Sequence, residues 1–579
     1  MLDLVIRDGL VIDGTGSARR RADVAIQGGR IAAIGSFSGA QARRTLDAGG
    51  RVVAPGFIDP HTHYDPQLLF DPFATSSCFH GVTSVVVGNC GFGIAPTHPE
   101  HREGVLQIFS RVEEMSLAVL RTIDWDFETF PELLAAREGR LGINAAYYLG
   151  HSNVRRWVMG EAASEREATQ DEIQRMRAVV SEAMAAGAAG FSSSHSPTDL
   201  DALDRPVPSR FASPEELLAL ALELGRANRG SLAYLPFSAV GGLTPEDGEL
   251  LIRLALASRV PVIIQGLGAR SKVDAPTATW PESKRYLDSA RARGAAVYSM
   301  LISRPFHRTF SLAGGTTLFE GAIPFNRLFS EAGTLEARRA MLRDPAYRAA
   351  IRRAVENPNR DPDAGSTLPP PRFEMLSVHA TKRSENQALV GRNLAELARE
   401  RGEAPMDLLV DLALSEDLAT EFLWRTDSEE WREGTHLAST HPQMIIGTSD
   451  GGAHLGRDDG AEFSSYFLRY WVREWGKWEL EAAIRELTLL PASILGFVDR
   501  GVLAPGYAAD VVIFDPETVG PDRKEFRGDL PGGASRWTSR PAGVQATIVN
   551  GVPVVIDGEI PDDCGLPGSV LRPGLPKLP

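Results

Sequence analysis

The two ends of the chain share one pattern of hydrophobic and polar positions. Residues 1–54 and 495–560 alternate apolar and polar residues in short runs, such as DLVIRDGLVID and GVQATIVNGVPVVIDGEI, with tight turns between them. A period of two residues is typical of half-buried β-strands, and the Asn550-Gly551 pair is a strong hairpin signal. We therefore predict that the two ends pair into one small β-domain, with residues 561–579 as a C-terminal tail.

Between the two ends, short apolar runs alternate with amphipathic helical segments. Strands that are apolar on both faces indicate a parallel sheet, and eight such units predict a (β/α)8 barrel over residues 55–494, with a doubly wound sheet as the alternative. The stretch 303–443 is too long for one connection, so we expect it to contain an insertion that covers the site. The predicted strands are the run that ends at His61 and residues 84–90, 143–151, 190–194, 232–237, 260–268, 296–301 and 444–450.

Side chains that bind metals follow several of these strands. His61 and His63 end strand one in PGFIDPHTHYDP, Cys90 ends strand two, His151 ends strand three and Asp450 ends the last strand. Residues i and i+2 of a strand point to the same face, so His61 and His63 share one space. Taken singly, each residue has an ordinary explanation as a turn or core residue. Together at one barrel mouth, two imidazoles, a thiolate and a carboxylate predict a zinc site.

Motifs near both ends of the chain resemble the amidohydrolase superfamily, and more narrowly the N-acyl-D-amino-acid deacylase (D-aminoacylase) group. They are PGFIDPHTHYD, HGVTSVVVGNCGFGIAP, IGTSDGGAH, ELTLLPASILGFVDRGVLAPGYAADVVIFDP and VNGVPVV. The resemblance implies a metal-bearing TIM-like barrel and a β-sandwich built from both termini. It also implies that His61 and His63 are the first metal pair and that Cys90 is a ligand where relatives have a carbamylated lysine. Asp450 would be the catalytic proton shuttle and a neighbour of the metal.

The sequence departs from this group in strands five and six. The group has one histidine on each of these strands, whereas here they read AYLPFSAV and VIIQGLGA. Pro236 or Phe237, and Gln265, stand at those positions. We therefore expect one Zn²⁺ per chain, held by the two histidines, the cysteine and the aspartate named above. The second metal position is expected to be absent, or rebuilt with His151 or His195.

The expected reaction is hydrolysis of a carbon–nitrogen bond by a metal-bound hydroxide. Zinc lowers the pKa of bound water to about 7, and Asp450 would accept the proton and pass it to the leaving nitrogen. The carboxylate of an acyl amino acid needs a cationic partner. The candidate substrate-binding residues, each with an ordinary core or surface role as the alternative, are His151, Arg155, His195, Gln265, Arg304, His379, Lys382 and His454.

Composition narrows the classes of partner. A net charge of −14 without a basic stripe argues against nucleic acid or an anionic membrane. The N-terminus does not resemble a signal peptide, and no apolar run is long enough for a transmembrane helix. Three cysteines fit a reducing cytoplasm. An aromatic cluster at 463–480 predicts a helix that packs on the barrel or on a partner subunit, which leaves a homo-oligomer open.

Three functions follow from these observations. The first is a zinc-dependent amidohydrolase that deacylates a small N-acyl compound, most simply an N-acyl-D-amino acid. The second is a hydrolase of a cyclic amide or carbamate, which the missing histidines leave open. The third is a catalytically inactive amidohydrolase-fold scaffold or binding protein, which has no need to retain the four metal-binding side chains.

Overall fold

The computed structural model describes residues 1–37, 39–201, 205–238, 242–265, 267, 279–305, 307–314, 316, 318–319, 321–325, 327–359, 370–455 and 460–574. The strands in these ranges are β1 (Leu2–Val11), β2 (Arg20–Gln27), β3 (Arg30–Gly35), β4 (Ala42–Asp47), β5 (Val52–Pro55), β6 (Phe57–Asp59), β7 (Val82–Val87), β8 (Asn144–Gly150), β9 (Gly190–Ser194), β10 (Ser231–Leu235), β11 (Val262–Gln265), β12 (Val297–Leu301), β13 (His307–Phe310), β14 (Leu376–Ala380), β15 (Glu421–Arg425), β16 (Met444–Ile446), β17 (Val511–Phe514), β18 (Gly520–Arg527), β19 (Arg536–Ala542), β20 (Val544–Val549) and β21 (Val552–Ile556).

The helices alternate with the strands through the middle of the chain. They are α1 (Arg102–Val112), α2 (Leu117–Leu120), α3 (Phe130–Arg137), α4 (His151–Met159), α5 (Gln170–Ala186), α6 (Pro214–Ala227), α7 (Pro245–Ser258), α8 (Trp280–Ala292), α9 (Arg327–Ser330), α10 (Leu335–Arg343), α11 (Pro345–Glu356), α12 (Leu394–Arg401), α13 (Pro405–Ser415), α14 (Glu429–Ser439), α15 (Phe463–Tyr466), α16 (Leu480–Leu487) and α17 (Leu489–Leu495). Among the described residues, no helix is both long and apolar enough to cross a membrane.

Eight parallel strands form the barrel, in the order β6-β7-β8-β9-β10-β11-β12-β16. A parallel bridge between Thr62 and Gly451 joins the segments that follow the first and last strands, and His63 N donates to Gly451 O at 2.8 Å. Strands β7, β8, β9 and β12 are buried at every position, because core side chains cover one face of the sheet and helices cover the other. The predicted TIM-like barrel is confirmed.

Local capping signals set the ends of the barrel helices. Thr169 and Glu172 form a capping box at the start of α5, and Ser213 accepts a hydrogen bond from Glu216 N at the start of α6. Helix α6 ends at Ala227, and the residue that follows, Asn228, takes the left-handed conformation with φ of 52°. Asparagine tolerates this conformation because its short polar side chain bonds locally.

The two ends of the chain share one sheet of eight strands. Its order is β21-β20-β17-β5-β1-β2-β3, with β4 paired to β1. The antiparallel pair β5 and β17, with Val53 opposite Ile513, joins the N-terminal strands to the C-terminal ones. Strands β18 and β19 form a separate two-stranded sheet. The division of the chain at residues 54 and 495, and the tail 561–579, stay predictions.

The middle of the 303–443 stretch has a core of its own. Strands β13, β15 and β14 form a separate three-stranded sheet, and buried side chains such as Phe310, Leu409 and Phe422 belong to one cluster within this stretch. Its position over the site stays a prediction. The aromatic segment that follows, at 463–480, packs on its own chain, since Trp471 is buried and its Nε1 donates to Ser303 O at 2.6 Å.

A buried polar network joins the terminal sheet to the barrel. Asp510 forms an ion pair with Arg500, and both side chains are buried. The second partner of Asp510 Oδ2 is Asn144 Nδ2, at 3.0 Å, at the start of β8. Asn550, in the hairpin between β20 and β21, donates its backbone N–H to Asp510 Oδ1 at 2.8 Å. One carboxylate therefore satisfies donors from three parts of the chain.

We expect Asp510→Ala to lower the free energy of unfolding by about 3–5 kcal/mol, because it removes the buried counter-charge of the buried Arg500 guanidinium and leaves only the more exposed Asp499 beside it. The measurement is urea-induced unfolding followed by fluorescence and circular dichroism. Asp499→Ala is the matched control: Asp499 also contacts Arg500, at 3.4 Å, but it is 36% exposed. Its removal should cost at most about 1 kcal/mol. Equal losses for the two variants would contradict the assigned role of the network.

Candidate functional site

The candidate site lies at the C-terminal mouth of the barrel. His61 and His63 follow β6, Cys90 follows β7 and Asp450 follows β16. Thr62, between the two histidines, turns away from them, and its hydroxyl donates to Val86 O at 2.8 Å. The alternation predicted from the His-Thr-His segment therefore directs both imidazoles into one space.

The four side chains approach one another closely. His61 Nε2 and His63 Nε2 are 3.2 Å apart, and Cys90 Sγ lies 3.9 Å from each of them. Asp450 Oδ1 lies 3.3 Å from His61 Nε2. Among the described residues, one group of three or more side chains has its donor atoms close enough to share a metal ion, and it consists of His61, His63 and Cys90.

The backbone at two of these positions adopts an unusual conformation. Cys90 and Asp450 both have left-handed φ values, 54° and 52°, which cost free energy for a side chain other than glycine and are concentrated at functional sites. Asn89 supports the turn before Cys90, because its side-chain amide donates to Val86 O at 2.9 Å and to Thr62 O at 3.2 Å. The Cys90 turn is thereby attached to the histidine segment.

Burial sets the protonation of the site. It lowers the pKa of His61 to about 3 and, together with the neighbouring His61, lowers the pKa of His63 well below its usual value. Both rings are therefore neutral at physiological pH, which is the form that binds metals. Burial, followed by nearby carboxylates, raises the pKa of the Cys90 thiol well above its usual value. A thiolate at this position needs a cation beside it.

Buried acids that the sequence did not single out surround the group. Burial raises the pKa of both Asp59 and Asp65 to about 7, and Asp59 Oδ1 accepts a hydrogen bond from His61 N at 3.3 Å. Glu113, directly after α1, is 3% exposed, and its Oε1 lies 3.2 Å from His63 Nδ1. No motif marks Glu113: in RVEEMS the sequence does not distinguish a buried glutamate from a surface one.

His151 and Arg155 belong to a different cluster. His151 begins α4, where its Nδ1 contacts Ser193 Oγ at 2.9 Å and its Nε2 contacts Glu216 Oε1 at 2.9 Å. Arg155 donates to the same carboxylate at 2.6 Å, and all three side chains are fully buried. Because both ring nitrogens of His151 are engaged within the protein, the structure does not bring this histidine to the metal-binding group.

His195, which follows β9, does not belong to the group of close donor atoms. His195 Nδ1 contacts Tyr234 Oη at 2.6 Å, and burial lowers the pKa of His195 to about 4. Of the two residues expected at the strand-five position, Pro236 is buried and Phe237 is 44% exposed. Gln265 ends β11, but its side chain lies outside the described part of the structure.

The remaining predicted substrate-binding residues occupy three different environments. Arg304 follows β12 and is buried, and its guanidinium lies so close to Gly460 that an added Cβ there would be 2.9 Å from Nη2. His379 and Lys382 are exposed, and the Lys382 backbone N–H donates to Glu416 at 3.0 Å. His454 Nε2 lies 3.9 Å from Glu113 Oε2, so His454 contacts the acidic shell of the site.

Comparison with known proteins adds an independent result. The model of the amidohydrolase family matches residues 44–555. N-acyl-D-glutamate deacylase of Alcaligenes xylosoxydans xylosoxydans is 30% identical over 563 residues, which cover 96% of this chain and 93% of that protein. The structure of N-acyl-D-glutamate deacylase from Bordetella bronchiseptica, in complex with zinc and a phosphonate inhibitor that mimics the tetrahedral intermediate, is 26% identical with a TM-score of 0.64 and covers 99% of both chains.

A solved D-aminoacylase is similar to the same extent. It is 27% identical with a TM-score of 0.63 and covers 99% of this chain and 100% of its own, and its binuclear metal centre is described by one-metal activation and second-metal attenuation. The family match spans most of the chain and includes all four residues of the candidate site. The resemblance predicted from the motifs is confirmed: this chain belongs to the amidohydrolase family.

Proposed function

We propose that this protein deacylates N-acyl-D-amino acids with one zinc ion per chain, held by His61, His63, Cys90 and Asp450. As a member of the amidohydrolase family, the chain is a metal-dependent hydrolase of carbon–nitrogen bonds other than peptide bonds. The observation that carries the proposal is the convergence of two neutral imidazoles, a thiol and a carboxylate at the barrel mouth. The substrate class is supported by the deacylases to which the chain is similar.

The spacing of the donor atoms fits a zinc ion. A tetrahedral zinc site with bonds of about 2.0–2.3 Å separates its ligand atoms by roughly 3.3–3.8 Å. The two Nε2 atoms are 3.2 Å apart, and the sulfur is 3.9 Å from each. A thiolate is a soft ligand that favours zinc over magnesium or calcium. Asp450, whose side chain is 28% exposed, lies beside the group, with Oδ1 3.3 Å from His61 Nε2.

Each residue has a distinct role in this proposal. The chemistry that a bound zinc ion supplies is polarisation of the scissile carbonyl and a lowered pKa of water. Asp450 accepts the proton of the attacking water and donates it to the leaving nitrogen, as a general base and then a general acid. His61, His63 and Cys90 hold the site in place, and the buried Asp59 supports the backbone of His61 at 3.3 Å.

The residues that stand in place of the two missing histidines favour one zinc ion per chain rather than two. Neither Pro236 nor Phe237 has a side chain that can bind a metal. Both ring nitrogens of His151 are engaged by Ser193 and Glu216, and His195 does not belong to the group of close donor atoms. In the described residues, no second group of metal-binding side chains has the required spacing. The one-metal activation described for a D-aminoacylase agrees with a single working ion.

The proposed setting is a reducing compartment, the cytoplasm, where a small N-acyl compound is the partner. Cys78, Cys90 and Cys564 are all free thiols. A reducing environment keeps a metal-binding thiol from oxidation.

A substrate panel separates the three candidate functions. The purified protein is assayed with N-acyl-D-amino acids, their L-enantiomers and hydantoin-like rings. Hydrolysis of the D-compounds supports the proposal, and hydrolysis of the rings alone supports the cyclic-amide alternative. A folded protein that neither binds zinc nor hydrolyses any of these compounds would be the inactive scaffold.

We predict that Cys90→Ser reduces bound zinc from about one ion per chain to a small fraction, because a serine hydroxyl is a poor zinc ligand. The measurement is elemental analysis after dialysis against a weak chelator. Cys564→Ser is the control, since Cys564 is also buried but lies in the C-terminal segment, and it should keep the full zinc content. Full zinc in the Cys90 variant would remove the cysteine from the ligand set.

We predict that Asp450→Asn lowers kcat by about 10²–10⁴-fold, because the amide cannot accept and return a proton. Zinc content should fall little, since two imidazoles and a thiolate still bind the ion. Steady-state kinetics on the best N-acyl-D-amino acid, together with elemental analysis, test both parts. Activity near that of the unmodified protein would assign the proton transfer to another group.

A further inference from the structure

The buried carboxylate of Glu113 lies next to His63, one of the proposed zinc ligands. Glu113 is 3% exposed, and its Oε1 lies 3.2 Å from Nδ1 of His63, the ring nitrogen other than the proposed ligand atom Nε2. Among the described residues, no hydrogen bond with good geometry reaches this buried Nδ1. Phe92 stacks on the ring, with centroids 6.1 Å apart and planes inclined by 24°. The Glu113 carboxylate is thus within hydrogen-bond distance of a buried nitrogen that has no hydrogen bond.

Glu113 also contacts the loop that follows the last barrel strand. Its carbonyl accepts a hydrogen bond from His454 N at 2.7 Å, and its Oε2 lies 3.9 Å from His454 Nε2. Gly451, in the same loop, accepts a hydrogen bond from His63 N at 2.8 Å. His63, Glu113 and the 451–454 loop therefore form a closed ring of contacts next to Asp450.

We propose that Glu113 is a positioning residue of the zinc site, which orients His63 through Nδ1 and couples it, through His454, to the loop that carries Asp450. This inference rests on the proposed zinc site. The inference goes beyond the proposed zinc site because Glu113 and His454 are outside the proposed ligand set.

The chemistry of imidazole gives the reason for a carboxylate at this position. A neutral histidine that binds a metal through Nε2 carries its proton on Nδ1, and an acceptor at Nδ1 selects that tautomer and limits rotation of the ring. An acidic acceptor also makes Nε2 a better electron donor to a cation. In the structure, Oε1 is within hydrogen-bond distance of Nδ1 but off the direction of the N–H bond.

The backbone shows that this contact is built into the local fold. Glu114 and His454 both have left-handed φ values of 56°, and the Glu114 carboxylate contacts His454 Nδ1 at 3.1 Å. His454 is thereby held between two successive carboxylates, one buried and one near the surface. The turn after α1 and the loop after β16 consequently meet at one imidazole.

The test is zinc affinity measured by competition with a chromophoric chelator, together with the absorption spectrum of the cobalt-substituted protein. Glu113→Gln, which keeps the shape but removes the charge, should weaken zinc binding about 10–100-fold and change the cobalt spectrum, while the melting temperature of the metal-free protein stays unchanged. Glu113→Asp keeps the charge and should recover part of the affinity. Glu486→Gln, at a buried carboxylate on α16, is the matched control and should bind zinc normally.

The outcomes distinguish this inference from the proposed function. Zinc affinity and a cobalt spectrum that stay unchanged in Glu113→Gln would overturn the positioning role and leave the zinc site intact. Absence of zinc binding in the unmodified protein would overturn both proposals. If Glu113→Gln does not fold, His454→Gln decides the question. It removes the second partner of the carboxylate and should weaken zinc binding to a smaller extent, and unchanged affinity in that variant would overturn the coupling.

Discussion

Closure of the barrel between its first and last strands is the constraint on which the candidate site depends. The Thr62–Gly451 bridge and the hydrogen bond from His63 N to Gly451 O bring together segments almost four hundred residues apart in the chain. Gly451 and Gly452 leave no room for a side chain, because an added Cβ would lie 2.8 Å from Tyr64 at both positions. The close approach of these two segments places Asp450 beside His61.

The buried acidic groups of the site need a cation to stabilise their charged forms. Asp59, Asp65, Glu113 and the Cys90 thiol are buried in a small volume, and burial shifts the pKa of each towards its neutral form. Removing this much polar surface from water is unfavourable unless a partner compensates. A divalent ion among these groups would supply the missing charge and hold the acids ionised. The ionisation of the proposed ligands and of the surrounding acids would therefore depend on the same ion.

The sequence predicted the parts of the site that follow directly from strand geometry. Strands buried on both faces leave uninterrupted apolar runs, so all eight barrel strands were visible, and the ends of three of them carry the metal-binding group. The same reasoning fails for His151. It also follows a strand, but the chain enters α4 at that residue, and the ring turns towards Glu216 on α6. Glu113 could not be found, because its burial depends on packing after α1 and no local signal records it.

The shared terminal sheet has a consequence for synthesis on the ribosome. Strand β5 pairs on one side with β1, which precedes it within the N-terminal segment, and on the other with β17, whose residues are translated some 460 positions later. Until then the edge of β5 exposes unpaired backbone groups, which are prone to pair with other chains. During elongation, this edge of the N-terminal strands therefore stays open to such contacts until β17 has been synthesised and pairs with it.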